Sequence, residues 1–294
     1  MIRELSEHEI DALHYELLVK DIVAAAEKLP PFPDIAWKII SRVKNMAPVK
    51  EIEDIIKYDP AVMAKILQLG NSAYYGRQYD VRSLKEAIVL IGNKRLIQVV
   101  MAACAIRYFG SGRSKDEREL WEHSVATALI AEIVARRLNY NGLLTLYTAA
   151  LLHDIGNTIL NLYSRIYLQS SLREIMGDSD IVRSERRALG IDHQELGGMI
   201  ARNWKFPSDI TTAIEHHHDP EKAGQFEEIT SLVYAADLLA VTFKKKNEER
   251  RNKEIDPESD PILKKLNIKR EMIEDIKVEF EVGMEGVRQA LSAV

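Results

Sequence analysis

Apolar residues recur along this chain with the spacing of helices. Ile10, Leu13, Leu17 and the run from Val23 to Ala26 fall on one helical face, and Ser6 with Glu9 has the pattern of a capping box ahead of them. That predicts a helix ending near Lys28. The following LPPFPD interrupts it, because each proline fixes φ and lacks an N–H. Ile35, Ile39, Ile40 and Val43 share a face, and so do Ile52, Ile55 and Ile56. Asp59 then stands as a cap before Pro60, opening a helix that should stop at Gly70, and Ser83 with Glu86 repeats the capping-box pattern before AIVLIG. The GSGRSKDERE segment, 110–119, reads as a break between a front half and a second helical half. Further helices are expected near 120–138, 143–162, 182–189, 194–204, 208–217 and 229–243, the 208–217 helix capped by Ser208 or Asp209. The charged stretch after Phe243 reads as a solvated loop, and a last helix should cover about 270–292. No run alternates in the manner of a strand, so the expected fold is all-α. The organisation read from these breaks is an N-terminal helix over 1–29, a domain over 30–243 with halves 30–110 and 119–243, and a charged loop and helix over 244–294.

Composition narrows the picture modestly. Of the 294 residues, 46% are hydrophobic and 29% charged, enough to build a core. The formal charge of −5 gives no electrostatic reason to expect a nucleic-acid or acidic-membrane partner. The single cysteine, Cys104, lies in an apolar run and permits no internal disulfide, which suits a reducing compartment. The N-terminus MIRELSEHEI lacks the apolar core of a signal peptide, and no uninterrupted apolar stretch approaches the roughly 20 residues that span a bilayer. A cytoplasmic location is the expectation.

The chemistry concentrates in the second half. His123 sits in WEHSVATALIAEIVARRL on the stripe shared with Thr127, Ile130 and Val134, where a core histidine with one hydrogen bond is the plainer reading. His153 and Asp154 interrupt the apolar LYTAALLHDIGNTIL. A carboxylate buried there needs compensation, by a cation or by a neighbouring helix terminus. Asp237, in ITSLVYAADLLAV, poses the same problem, with a basic side chain or a metal as the alternatives. His217 and His218 follow FPSDITTAIE. Histidines near a helix C-terminus favour its dipole without any ligand, and adjacent helical residues point about 100° apart. His193 opens the helix of LGIDHQELGGMI, and Glu185 before it is a candidate to orient the imidazole. Asn71, Ser72, Tyr74 and Tyr75 form a polar-aromatic segment that helix termination explains as well as a contact would. Taken together, imidazoles and carboxylates on the helices of one bundle are the donors that iron, manganese or zinc accept.

Several motifs in order resemble the HDOD family, a relative of the HD superfamily of helical metal-dependent phosphohydrolases. They are LPPFPDIAWKII, YDPAVMAKILQLGNSAYYG, SLKEAIVLIG, LLHDIGN, LGIDHQELGGMIARNWKFP and AIEHHHDP, spanning about 20–222. The resemblance implies a multi-helix HD-like bundle preceded by a helical front half. It also implies one or two divalent ions held by His123, His153, Asp154 and Asp237. The HD-GYP phosphodiesterases add a histidine and a His-His pair, which map onto His193, His217 and His218, with an aspartate like Asp154 bridging two metals. Two departures stand out: Asn157 occupies the position of a phosphate-contacting lysine, and DPEKAGQF replaces the GYP tripeptide. The resemblance thus implies a regulatory signalling module that binds a partner protein or a nucleotide. The alternatives are a metal-dependent phosphohydrolase acting on a nucleotide or cyclic dinucleotide, and a scaffold whose His and Asp residues only hydrogen-bond.

Overall fold

A computed structural model describes residues 7–71, 81–110, 114–168, 181–244 and 256–291. Every regular element among them is a helix, as the periodicity predicts. In chain order they are α1 (Glu7–Glu27), α2 (Asp34–Lys44), α3 (Val49–Ile56), α4 (Pro60–Gly70), α5 (Leu84–Ala105), α6 (Lys115–Arg137) and α7 (Leu143–Leu152). There follow α8 (Asn157–Leu168), α9 (Ile181–Leu189), α10 (His193–Asn203), α11 (Ser208–Glu215), α12 (Glu227–Lys244), α13 (Pro261–Lys265) and α14 (Arg270–Leu291). Ser6, Ser72, Tyr74, Tyr75, residues 111–113 and most of the charged loop after Phe243 lie outside the described residues.

The chain divides into two compact units, each discontinuous in sequence. One comprises Met1–Pro31 with Leu152–Thr230, the other Phe32–Leu151 with Ser231–Val294.

In the first unit α1 packs on α8, α9 and α10, and α10 packs on α11. Ile22 and Ala26 of α1, Leu160, Leu189, Leu196, Ile200 and Ile214 are buried there, each larger side chain contributing about 2 kcal/mol through removal from water. The Trp204 indole donates to the Pro30 carbonyl (2.9 Å), so this tryptophan is a packing residue, and Arg202 pairs with Glu215 at the surface. Two expectations fail here. The single helix expected over 143–162 is two, α7 and α8, parted by a turn at residues 153–156. The helix expected to 217 stops at Glu215, and neither Ser208 nor Asp209 caps it: Pro207 occupies the N-cap, and Asp209 accepts from the N–H of Ile210.

In the second unit α5 is the hub, contacting α2, α3 and α4, while α14 lies against α6 and α4. Asp59 accepts from the N–H groups of Ala61 and Val62 (3.1 Å each), with Pro60 at the first helical position, as the sequence predicts. Ser83 accepts from the N–H of Glu86, whose carboxylate reaches back to the N–H of Arg82. Asn71 bonds Leu67 and Val81 through its amide, so its role is to close α4. The break after Gly110 is shorter than its composition suggests, because Ser114 caps α6 and the charged residues from Lys115 form its first turns. Leu84–Tyr108 has the length and apolar composition of a membrane-crossing helix, which the reading of uninterrupted apolar runs does not anticipate. Gly92, at φ 77°, breaks it into two, and Leu96, Val100, Met101 and Cys104 are wholly buried in the unit's core.

Among the described residues, Glu132 is the charged residue that the second unit buries most deeply. Burial pushes its carboxyl up, but Arg95 (2.9 Å), Gln98 (2.8 Å) and Lys94 (3.1 Å) outweigh this and hold it below the usual range. A depressed folded-state value stabilises above the unfolded pKa, and that contribution is lost as pH falls through it. The urea midpoint of the wild type should therefore exceed that of Glu132→Gln at pH 7. The gap should shrink steadily below about pH 4.5. A gap independent of pH would refute this account.

Candidate metal centre

Asp192 caps α10, accepting from the N–H of Glu195 (2.9 Å), and so places His193 in the first helical turn. α9 reaches the same residue. Oε2 of the fully buried Glu185 accepts from the His193 backbone N–H (2.9 Å) and faces its Nδ1 at 2.6 Å. The contact expected between Glu185 and this imidazole is present.

His217 and His218 lie beyond the end of α11. Adjacent residues in a helix would point apart, but here the chain has left the helix before Asp219-Pro220. The ring of His217 is fixed by its Nδ1, 2.8 Å from the Ile214 carbonyl. His218 is held by its backbone N–H, which donates to the side-chain oxygen of the buried Gln194 (2.8 Å). Both rings thereby face one partner: His193 Nε2 is 3.2 Å from His217 Nε2 and 3.1 Å from His218 Nε2. His216 is the C-cap residue of α11.

The turn after α7 brings in His153 and Asp154. Asp154 Oδ1 is 3.5 Å from His193 Nε2 and 3.9 Å from His217 Nε2, and Oδ2 is 3.5 Å from His153 Nε2. The buried His153 ring meets His217 edge-on, with centroids 4.9 Å apart. Asn157 donates its amide to Asp154 Oδ1 (3.0 Å), fixing the carboxylate. Five of the seven predicted residues, His153, Asp154, His193, His217 and His218, are thus brought together within the first unit.

The other two belong to the second unit and meet each other. His123 Nε2 is 2.9 Å from Asp237 Oδ1, both side chains being largely buried. The charge of Asp237 has an imidazole partner, where the sequence left a basic side chain or a metal as alternatives.

The donor set of the first unit fits a metal ion. The Ile214 carbonyl can only accept, so His217 carries its proton on Nδ1 and turns the Nε2 lone pair inward. The Glu185 carboxylate beside Nδ1 favours the same arrangement in a neutral His193 ring. Two such lone pairs facing each other at 3.2 Å repel unless a positive centre lies among them. Nitrogens each ~2.1 Å from one ion, at ligand angles of about 90–110°, stand about 3.0–3.4 Å apart, and these separations fall in that range. A proton is the other positive centre available. Burial depresses the His193 ring, yet Glu185, backed by Asp154 and Asp192, more than offsets this and raises it to about 9. Metal entering at neutral pH must therefore displace a proton.

Gln194 and the Ile214 carbonyl are parts of this arrangement that sequence reading misses. Gln194 adjoins a candidate ligand, which is a weak signal; a backbone carbonyl carries none.

The HDOD domain family model matches residues 29–220. A ribonuclease Y of Thermus thermophilus is 31% identical over 128 residues, 44% of this chain and 17% of that protein. An HDOD domain protein of Geobacter sulfurreducens superposes with a TM-score of 0.70 at 21% identity, over 96% of this chain and 98% of that one. A protein of Shewanella amazonensis, provisionally named a phosphohydrolase, gives 0.68 at 22% identity, over 92% and 97%. These likenesses to solved structures concern the fold. The chain spans less than half the length of the curated relatives it matches.

Proposed function

We propose that this chain, which belongs to the HDOD domain family, is a regulatory signalling protein of the cytoplasm. In this reading it acts as a binding or output module for a partner protein or a nucleotide. Its first unit holds a divalent ion, iron, manganese or zinc, through His193, His217, His218 and Asp154, with His153 beside them. The convergence of three imidazole Nε2 atoms beside a carboxylate supports the metal. Asn157 supports the regulatory role. It stands where the resemblance puts a phosphate-contacting lysine, and it spends its amide on Asp154 instead of offering a cation to a substrate.

A second reading is a metal-dependent phosphohydrolase, with Asp154 as the metal-bridging residue. The cluster of imidazole and carboxylate donors favours it, and so does the partial likeness to a ribonuclease. A bound divalent ion would supply a Lewis acid and an acidified water. The chain's own part would be to orient His193 through Glu185 and to hold Asp154 through Asn157.

One experiment separates the two. Protein loaded with manganese or iron is assayed on a panel of cyclic dinucleotides, linear dinucleotides and short RNA, beside an Asp154→Ala control. The regulatory reading expects tight metal retention and no turnover above the control. Turnover with a kcat/KM in the range typical of enzymes, about 10⁴ M⁻¹s⁻¹ or more, would overturn it in favour of the hydrolase.

A further inference from the structure

Glu185 presents an unusual economy of contacts. It is fully buried, and a single oxygen, Oε2, serves both the backbone N–H and the ring Nδ1 of His193. Its other oxygen, Oε1, is buried with no hydrogen-bond partner among the described residues. Burying a carboxylate is costly, and an idle oxygen adds to the cost. If α10 needed only an acceptor for its first N–H, a glutamine carbonyl would serve without the charge. The next residue strengthens the same link: Arg186 bridges from α9 to Asp192 (2.5 Å) and to Glu195 (2.9 Å), either side of His193. Backbone, ring and flanking residues of His193 are all held from α9.

We infer that Glu185 is a positioning residue whose negative charge fixes the tautomer and rotation of the His193 ring, presenting Nε2 as a strong electron-pair donor to the ion. The inference deepens the proposed metal reading and rests on it. The carboxylate draws the Nδ1 proton toward itself, which enriches the ring in electron density and raises its basicity at the far nitrogen. Partners of this kind typically contribute 10–100-fold to metal affinity. Arg186 acts further out: it keeps the start of α10 seated so that the short Nδ1 contact persists.

Cobalt(II) alone is the probe. Metal-free wild type, Glu185→Gln and Arg186→Ala are titrated with cobalt while the visible d–d bands are recorded, and the dissociation constant is obtained by competition with a chelator. Glu185→Gln keeps an acceptor of the same shape and removes the charge. It should bind cobalt 10–100-fold more weakly, with shifted bands, while its metal-free melting temperature stays within a few degrees of wild type. Arg186→Ala should weaken binding less than Glu185→Gln does. A Glu185→Gln protein with wild-type affinity and an unshifted spectrum would overturn the positioning role and leave the metal reading intact. A wild type that takes up no cobalt would overturn both. Should Glu185→Gln fail to fold, proton NMR of zinc-loaded wild type still decides the matter. A strongly downfield His193 Nδ1 proton is expected there, and its absence refutes the inference.

Discussion

A Gly156→Ala variant is expected to lose several kcal/mol of stability and most of its metal together. Gly156 lies in the turn between α7 and α8, and the backbone of α10 passes directly against it. A Cβ built there would be 2.1 Å from the His193 carbonyl oxygen and 2.9 Å from the Gly197 nitrogen. Both atoms belong to the main chain, so neither can rotate away. The turn and α10 would have to part by more than 1 Å to restore van der Waals contact. Overpacking a core typically costs about 1–3 kcal/mol, and a clash confined to backbone belongs at the upper end or beyond. For a domain of this size each kcal/mol lowers the melting temperature by roughly 2–4 °C, so a fall of about 10 °C is expected. The same parting carries Asp154 away from His193, whose Nε2 now lies 3.5 Å from the carboxylate. Gly283→Ala, in α14, is the control. A Cβ built there meets nothing within 4 Å. Melting curves and elemental analysis of the two variants check this. A Gly156→Ala protein that melts with wild type and keeps its metal would show the close approach to be unimportant.

Gly156 also shows where sequence reading runs short. LYTAALLHDIGNTIL is apolar on both sides of His153, so a continuous helix over 143–162 fits its periodicity as well as the real turn does. What decides the matter is a contact with α10 some forty residues away, and periodicity carries no information about it. The end of α11 follows a local rule instead. Pro220 disfavours helical backbone at Asp219, and the three histidines before it unwind. The caps at Asp59 and Ser83 were legible because a cap is a short-range hydrogen bond with a fixed offset. Glu185 lies between these cases. Its eight-residue spacing from His193 suggests proximity, but only the packing of α9 against α10 establishes the 2.6 Å contact. The pairing of His123 with Asp237 crosses more than a hundred residues and has no local signal at all.

His217→Ala should abolish metal retention, and its stability should reveal whether metal or hydrogen bonding holds the cluster together. His217 is fully buried, with Nδ1 tied to the Ile214 carbonyl and Nε2 directed at His193. Truncation leaves a small cavity and an unbonded carbonyl, a loss of about 1–3 kcal/mol in either case. If the rings converge on an ion, wild type draws further stability from binding, by RT ln(1 + [L]/Kd), or about 4 kcal/mol at a thousandfold excess over Kd. A chelator should then lower the melting temperature of wild type until it exceeds that of His217→Ala by the packing loss alone, and leave the variant unmoved. Deleting a direct ligand should also weaken binding by more than the roughly 100-fold expected of an outer partner such as Glu185. If the histidines and Asp154 are held by hydrogen bonds alone, the chelator moves neither protein, and the variant melts lower by its packing loss only. The two accounts predict different responses of the wild type itself, so the result does not depend on how well the variant folds.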